Sequence, residues 1–218
     1  MDFNSLSTEM RNNADYEKAA RMKAYMREQF NFLGIPKPMR REILKPYLSA
    51  VKDEKKVDWK FIERCWREPF REYQYAAMDY LSKVSKQLTP MDVTNIKRLI
   101  VTKSWWDTVD GLDEIMGVIA MRFPEAKQIL LDWSKDENFW LRRAAIDHQL
   151  RYKDKTDTKL FEKILINNLC HTEFFVNKAI GWSLREYSKT NPDWVRAFVN
   201  KHRSDMASVS IREASKYI

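Results

Sequence analysis

At intervals of 35, 33, 35 and 35 residues the chain places a small residue, Ala76, Gly111, Ala144, Ala179 and Ala214, within stretches of helical apolar spacing. A period of this length, with room for two helices and no strand-like alternation, indicates an α-solenoid, because small side chains at matching points let stacked helices approach. The fixed Trp-Leu-Gly-Tyr positions of tetratricopeptide repeats are missing, so HEAT-like repeats are predicted. Only four glycines occur in 218 residues. Alternating Val/Ile/Thr runs bounded by hairpin signals are absent too, which argues against a sheet. The predicted fold is all-α: one HEAT-like domain over residues 1–218 with a concave basic groove.

Helix punctuation supports this reading. Asp15 opens a predicted helix to about Phe30, and Leu33-Gly34-Ile35-Pro36-Lys37-Pro38 breaks the chain before a second helix to about Leu48. Asp58 caps a segment through Trp66, and Pro69 separates it from a helix over Arg71 to Lys83. Thr89-Pro90 opens Met91 to Val101, and Pro124 opens a helix to Trp133. Predicted helices over Asn138 to Arg151, Thr158 to Leu169, Glu173 to Ser188, Pro192 to Lys201 and Ser208 onward complete the set.

Lys and Arg number 39 against 31 Asp and Glu, a formal charge of +8 that favours polyanionic partners. Cys65 and Cys170 have no paired spacing, so no disulfide framework follows and a reducing cytoplasm fits. His148, His171 and His202 are too scattered to form a metal site, and no metal or other cofactor is expected. The first 13 residues lack an apolar targeting core, and no run of about 18 apolar residues suggests a membrane span.

Against this basic background, Ser104-Trp105-Trp106-Asp107-Thr108-Val109-Asp110 stands out. In a helix, Trp106 and Asp110 share a face one turn apart. The repeat register puts Tyr75, Asp110, Arg143, Lys178 and Glu213 immediately before the small residues, so matching helices bring Asp110, Arg143 and Lys178 onto one wall. Trp182 lies one turn after Lys178. Arg142, Arg143, Arg151, Lys178 and Arg185 are donors suited to phosphates. Trp66, Trp133, Trp140 and Trp194 read as core, whereas Trp106 and Trp182 share the wall with Asp110, whose helix already has Val109, Leu112 and Ile115 on its apolar side. A structural ion pair between Asp110 and Arg143 is the alternative for those two residues.

Three segments now carry a family resemblance. They are Val101-Thr-Lys-Ser-Trp-Trp-Asp-Thr-Val-Asp110, Trp140-Leu-Arg-Arg-Ala-Ala-Ile146, and Lys178-Ala-Ile-Gly-Trp-Ser-Leu-Arg-Glu-Tyr187 with Lys189-Thr-Asn-Pro192. Together they resemble the AlkD family of bacterial alkylpurine DNA glycosylases, and the likeness runs from Tyr25-Met26 and Phe32-Leu-Gly-Ile35 to Arg212-Glu-Ala214. The resemblance implies a cytoplasmic, nucleoid-associated monomer that excises positively charged N3- and N7-alkylated purines from double-stranded DNA. It places Asp110 at the catalytic aspartate, Trp106 and Trp182 at the groove tryptophans, and Tyr25 at an aromatic position near the lesion. Arg143, Arg151 and Arg185 fall at basic groove positions. Pro36-Lys37-Pro38 departs from the family's more polar turn.

The chemistry is compatible with a single carboxylate. An alkylated purine is already cationic, so its departure needs no general acid, and Asp110 would stabilise an oxocarbenium-like sugar and place a water. Two functional classes follow: a monofunctional glycosylase, and a non-catalytic HEAT-like protein binding damaged or branched DNA. Lys178 leaves a Schiff-base lyase step open.

Overall fold

The computed structural model describes residues 1–51 and 56–218, and these are helical with no strand beyond an isolated bridge between Asn31 and Phe70. Two compact units divide the chain, Met1–Leu88 and Thr89–Ile218. Among the described residues no helix is long and apolar enough to cross a membrane.

The first unit contains α1 (Phe3–Asn12), α2 (Tyr16–Tyr25), α3 (Lys37–Ala50), α4 (Trp59–Arg67) and α5 (Arg71–Lys83). Asp15 and Asp58 cap α2 and α4 as their positions predict, each accepting a backbone N–H from the first turn. Two departures are informative. Helix α1, capped by Asp2, precedes the first predicted helix. Helix α2 stops at Tyr25 rather than near Phe30, and Arg27 and Glu28 take left-handed φ values of 52° and 60°. The cause is tertiary: Phe32, Leu33 and Ile35 are buried, and the Glu72 carboxylate accepts the backbone N–H groups of Leu33, Gly34 and Ile35 at 2.9, 2.8 and 3.1 Å. Continued helix would carry that segment away from its acceptor. Gly34 is required there, because its φ is +87° and a Cβ would lie 1.9 Å from the Asp15 carbonyl oxygen.

The second unit contains α6 (Val93–Ile100), α7 (Trp106–Arg122), α8 (Pro124–Trp133), α9 (Phe139–Asp147), α10 (Thr158–Ile166), α11 (Phe174–Ser188), α12 (Pro192–His202) and α13 (Ser208–Ala214). Asn138, Asp157, Glu173 and Asn191 cap α9, α10, α11 and α12. Thr89 forms a capping box with Asp92, but Pro90–Asp92 is a 3₁₀ turn and the α-helix starts at Val93. Helices α9 and α10 end at Asp147 and Ile166, short of the predicted Arg151 and Leu169. The Gln149 side chain instead bonds Asp157 N and O at 2.7 and 3.4 Å, drawing the linker onto the start of α10.

Within this unit α7 packs on α9, α9 on α11 and α11 on α13, while α8, α10 and α12 form the alternate row. This chain-ordered stacking of helix pairs is an α-solenoid. Ala144, Ala179 and Ala214 of the period are fully buried, as is Ala76 in the first unit. Gly181 permits a close approach of α11 to α13, where a Cβ would lie 2.7 Å from Glu213 Cβ. Val109, Leu112, Ile146, Ile180 and Leu184 fill the interior, each worth about 1.5–3 kcal/mol of burial.

Candidate functional site

The Trp105-Trp106 pair is split by the start of α7. Trp105 is the extended N-cap, with φ −160° and ψ 161°, and its carbonyl accepts the N–H groups of Thr108 and Val109. Its indole packs against Trp140 and Phe175 at ring separations of 6.0 and 5.2 Å. Trp106, the first helical residue, is half-buried one turn before Asp110.

Asp110 is not an isolated charge on a basic wall. Arg143 of α9 donates from Nε to Oδ1 at 2.7 Å and from Nη2 to Oδ2 at 2.8 Å, a bidentate pair between neighbouring helices. A third donation, Nη1 to the Phe175 carbonyl at 2.8 Å, ties the guanidinium to α11, and its carbon sits 5.8 Å from the Trp182 ring centroid. The Arg143 side chain is 3% exposed, against 17% for Asp110. Arg143 therefore faces inward onto Asp110, while Asp110 retains an edge to solvent.

Two more acids stand behind this pair. Asp147, one turn after Arg143 on α9, is fully buried with Oδ2 3.7 Å from Arg143 Nη2, and Oδ1 accepts from Ser183 Oγ at 2.5 Å. Asp113, on α7 one turn after Asp110, is 1% exposed, and neither oxygen has a hydrogen-bond partner. Oxygens of Asp110, Asp113 and Asp147 lie within 4.8 Å of one another, the one such convergence of acidic, thiol or imidazole groups among the described residues. Arg143 bridges two of the three and already supplies a fixed cation there.

Burial raises the pKa of all three carboxyls. For Asp110 the Arg143 hydrogen bonds and charge oppose the rise without cancelling it. Asp147 is pushed up to about 7, with Arg143 and Ser183 opposing burial and Asp110 reinforcing it. Asp113 is driven well above the carboxylate range, by burial and then by the charges of Asp110 and Asp147. Burial penalises the Arg143 cation, but Asp147 and Asp110 outweigh that and raise its pKa.

Arg142 of α9 is taken up by the backbone carbonyls of Ser134, Lys135, Asp136 and Asn167 and by Asn168 Oδ1, and the other candidate cations contact acids. Lys178 and Arg185 of α11 meet Glu213 of α13 at 2.7 and 2.5 Å, and Lys216 joins them at 2.8 Å. Hydrogen bonds from Lys178 and Lys216 hold the Glu213 carboxyl down at about 2. Three cations on one acid leave a positive excess. Arg151, 75% exposed, pairs with Glu114 at 2.5 Å. Trp182 is half-buried one turn beyond Lys178. Tyr25 closes α2 in the other unit and is 71% exposed. Trp66, Trp133 and Trp140 are core, and Trp194 stacks half-buried between Phe161 and Phe198.

Asp147, Asp113, Ser183 and Glu213 were not singled out as site residues in the sequence. The spacings Asp110-x-x-Asp113 and Arg143-x-x-x-Asp147 were the available signals, since each puts the second residue on the face of the first.

The profile of a family described as DNA alkylation repair enzyme matches residues 6–218. A solved structure described as a predicted DNA alkylation repair enzyme from Enterococcus faecalis is 36% identical, with 94% of this chain and 96% of that one covered and a TM-score of 0.86. The Streptococcus mutans protein smu.31 shares the fold at 17% identity, with coverage of 83% and 96% and a TM-score of 0.61. No curated protein matches the sequence.

Proposed function

The chain belongs to the DNA alkylation repair enzyme family, which gives it a role in alkylation repair with DNA as substrate, and from that premise we propose that it is a monofunctional glycosylase. Its substrates are cationic N3- and N7-alkylated purines in duplex DNA. It acts in the cytoplasm on nucleoid DNA, with residues 1–218 serving as one DNA-binding domain.

The observation that carries the reading is Asp110, a carboxylate fixed at both oxygens by buried Arg143 yet still open at one edge. Each carboxylate oxygen keeps a second lone pair, so Asp110 can orient a water while bonded to Arg143. The C1′–N bond breaks with its electron pair passing to the purine, which neutralises the alkylated ring. Water then adds to C1′, and its proton leaves to Asp110 or solvent. Asp110 stabilises the cationic sugar electrostatically. The Trp106 and Trp182 indoles add cation–π attraction of about 0.5–2 kcal/mol each.

Lys178, Arg185 and Arg151 serve the phosphates. The first two belong to a cluster with excess positive charge, and the Arg151–Glu114 pair is a surface contact worth at most about 1 kcal/mol that a phosphate can displace. Tyr25 is assigned to the DNA surface. Arg143 has the separate task of holding Asp110.

The second reading, DNA binding without chemistry, draws on the same ion pair, which can also be purely structural. Purified protein incubated with duplex DNA containing N7-methylguanine decides between them. Release of the methylated base, with hypoxanthine and uracil untouched for want of a general acid, is the expected result. Saturable binding with no release at any protein concentration would overturn the glycosylase reading.

A further inference from the structure

Three buried or half-buried carboxyls converge, and one guanidinium contacts two of them. If all were ionised the group would hold two uncompensated negative charges away from water, a cost that proteins relieve by binding protons or cations. The hydrogen bonds distinguish the three: Asp110 has two donations from Arg143, Asp147 has one from Ser183 while its Oδ2 faces Arg143 Nη2 only as an ion pair at 3.7 Å, and Asp113 has none.

We propose that Asp147 is a positioning residue for Asp110, acting through the Arg143 guanidinium that the two share, and that Asp113 is kept as the neutral acid that makes this sharing possible. The proposal rests on the reading of Asp110 as the catalytic carboxylate. With Asp113 neutral, the group has one excess negative charge while Asp147 is ionised and none when it is protonated. An ionised Asp147 draws part of the guanidinium's charge from Asp110, which leaves Asp110 more negative towards a developing sugar cation. The position of Asp147 near 7 puts that change within the working range of a repair enzyme.

Among the described residues, the neighbouring helices set no second cation against Asp113 or Asp147. Asp107 and Glu114 of α7 add negative charge near Asp110 and Asp113 respectively. On α11, Lys178 and Arg185 are drawn to Glu213, and Ser183 is the group that meets Asp147. Lys97 of α6 pairs with Asp136, and Lys127 of α8 pairs with Asp157 at the start of α10. His148, next to Asp147, turns Nδ1 to the Ala145 carbonyl, and burial lowers its pKa to about 4, so it is neutral where Asp147 titrates.

The test pairs spectroscopy with kinetics on the full chain. Carboxyl-carbon NMR titration of the free protein should find Asp113 as the neutral acid at pH 7 and Asp147 titrating near there. The Arg143 Nε–H should exchange slowly with water, and faster in Asp147→Asn. Single-turnover release from N7-methylguanine DNA should rise with pH through an inflection near neutrality. In Asp147→Asn that inflection should vanish and the rate at pH 8 fall about tenfold. Ser183→Ala, which removes one hydrogen bond but leaves the charge, should move the inflection upward because the ionised form loses a donor. It serves as the working variant if Asp147→Asn does not fold. An Asp113 carboxylate ionised at pH 7, or an inflection and Arg143 exchange rate that neither variant changes, would overturn the proposal. If the wild type releases no base at any pH, the glycosylase reading fails by itself, and the two NMR measurements still decide whether Asp147 holds Arg143.

Discussion

Replacing Asp110 with Asn tests the centre of the mechanism, because the variant keeps the shape and one acceptor oxygen while removing the charge. A unit charge about 4 Å from the developing sugar cation, at an effective dielectric of about 20, is worth about 4 kcal/mol. Arg143 already draws on that charge through two hydrogen bonds at 2.7 and 2.8 Å, so about half is a fair lower estimate. The expected fall in single-turnover base release is then about 30- to 1000-fold. Stability should respond more mildly. One charge-assisted hydrogen bond is lost, about 1.5–3 kcal/mol, but Arg143 keeps the Phe175 carbonyl at 2.8 Å and Asp147 at 3.7 Å and is not left as an unpaired buried charge. For a chain of this length that corresponds to a melting temperature lower by about 3–12 °C. DNA affinity should stay within a few fold, since Asp110 neutralises no phosphate. The assay is release of N7-methylguanine from a duplex with protein in excess, with melting measured on the same preparation. A variant that keeps the full rate, or one whose loss of rate is accounted for by unfolding at the assay temperature, would refute the reasoning.

Substituting Lys178, Arg185 or Arg151 with Ala should weaken binding to all duplex sequences alike and flatten the salt dependence by about one unit each, read by fluorescence titration; an unchanged slope would make them structural. Trp106→Ala and Trp182→Ala should slow release by about tenfold while losing less than the about 3–5 kcal/mol typical of truncating a core tryptophan, and thermal melting beside single-turnover rates separates the two roles. Asp113→Asn should become progressively more stable than the wild type as pH rises. The Asp113 pKa is raised in the fold, so its contribution is fully present below the ordinary value of 3.8 and is lost as pH climbs towards the folded value, whereas Asn has no such slope. A melting difference that stays constant from pH 4 to 9 would contradict this.

What the sequence determined was local or periodic. Asp15, Asp58, Asn138 and Glu173 cap their helices because the acceptor and the N–H groups it captures lie within three residues of one another. The spacing of small residues determined that α7, α9 and α11 stand side by side, and helical pitch put Trp106 one turn before Asp110. The early end of α2 was not legible, because residues 26–30 suit a helix and what draws the following segment back is tertiary: the Glu72 carboxylate, some 40 positions away, and the burial of Phe32, Leu33 and Ile35. Charge partners followed the same division. Register brought Asp110, Arg143 and Lys178 to one wall. The tertiary structure decided that Arg143 turns inward to Asp110 and Asp147 while Lys178 and Arg185 turn to Glu213. Long side chains on adjacent helices reach several acids at similar distances. Which one each cation takes depends on helix rotation and on how much water the packing leaves beside it, and neither is written in the spacing of residues.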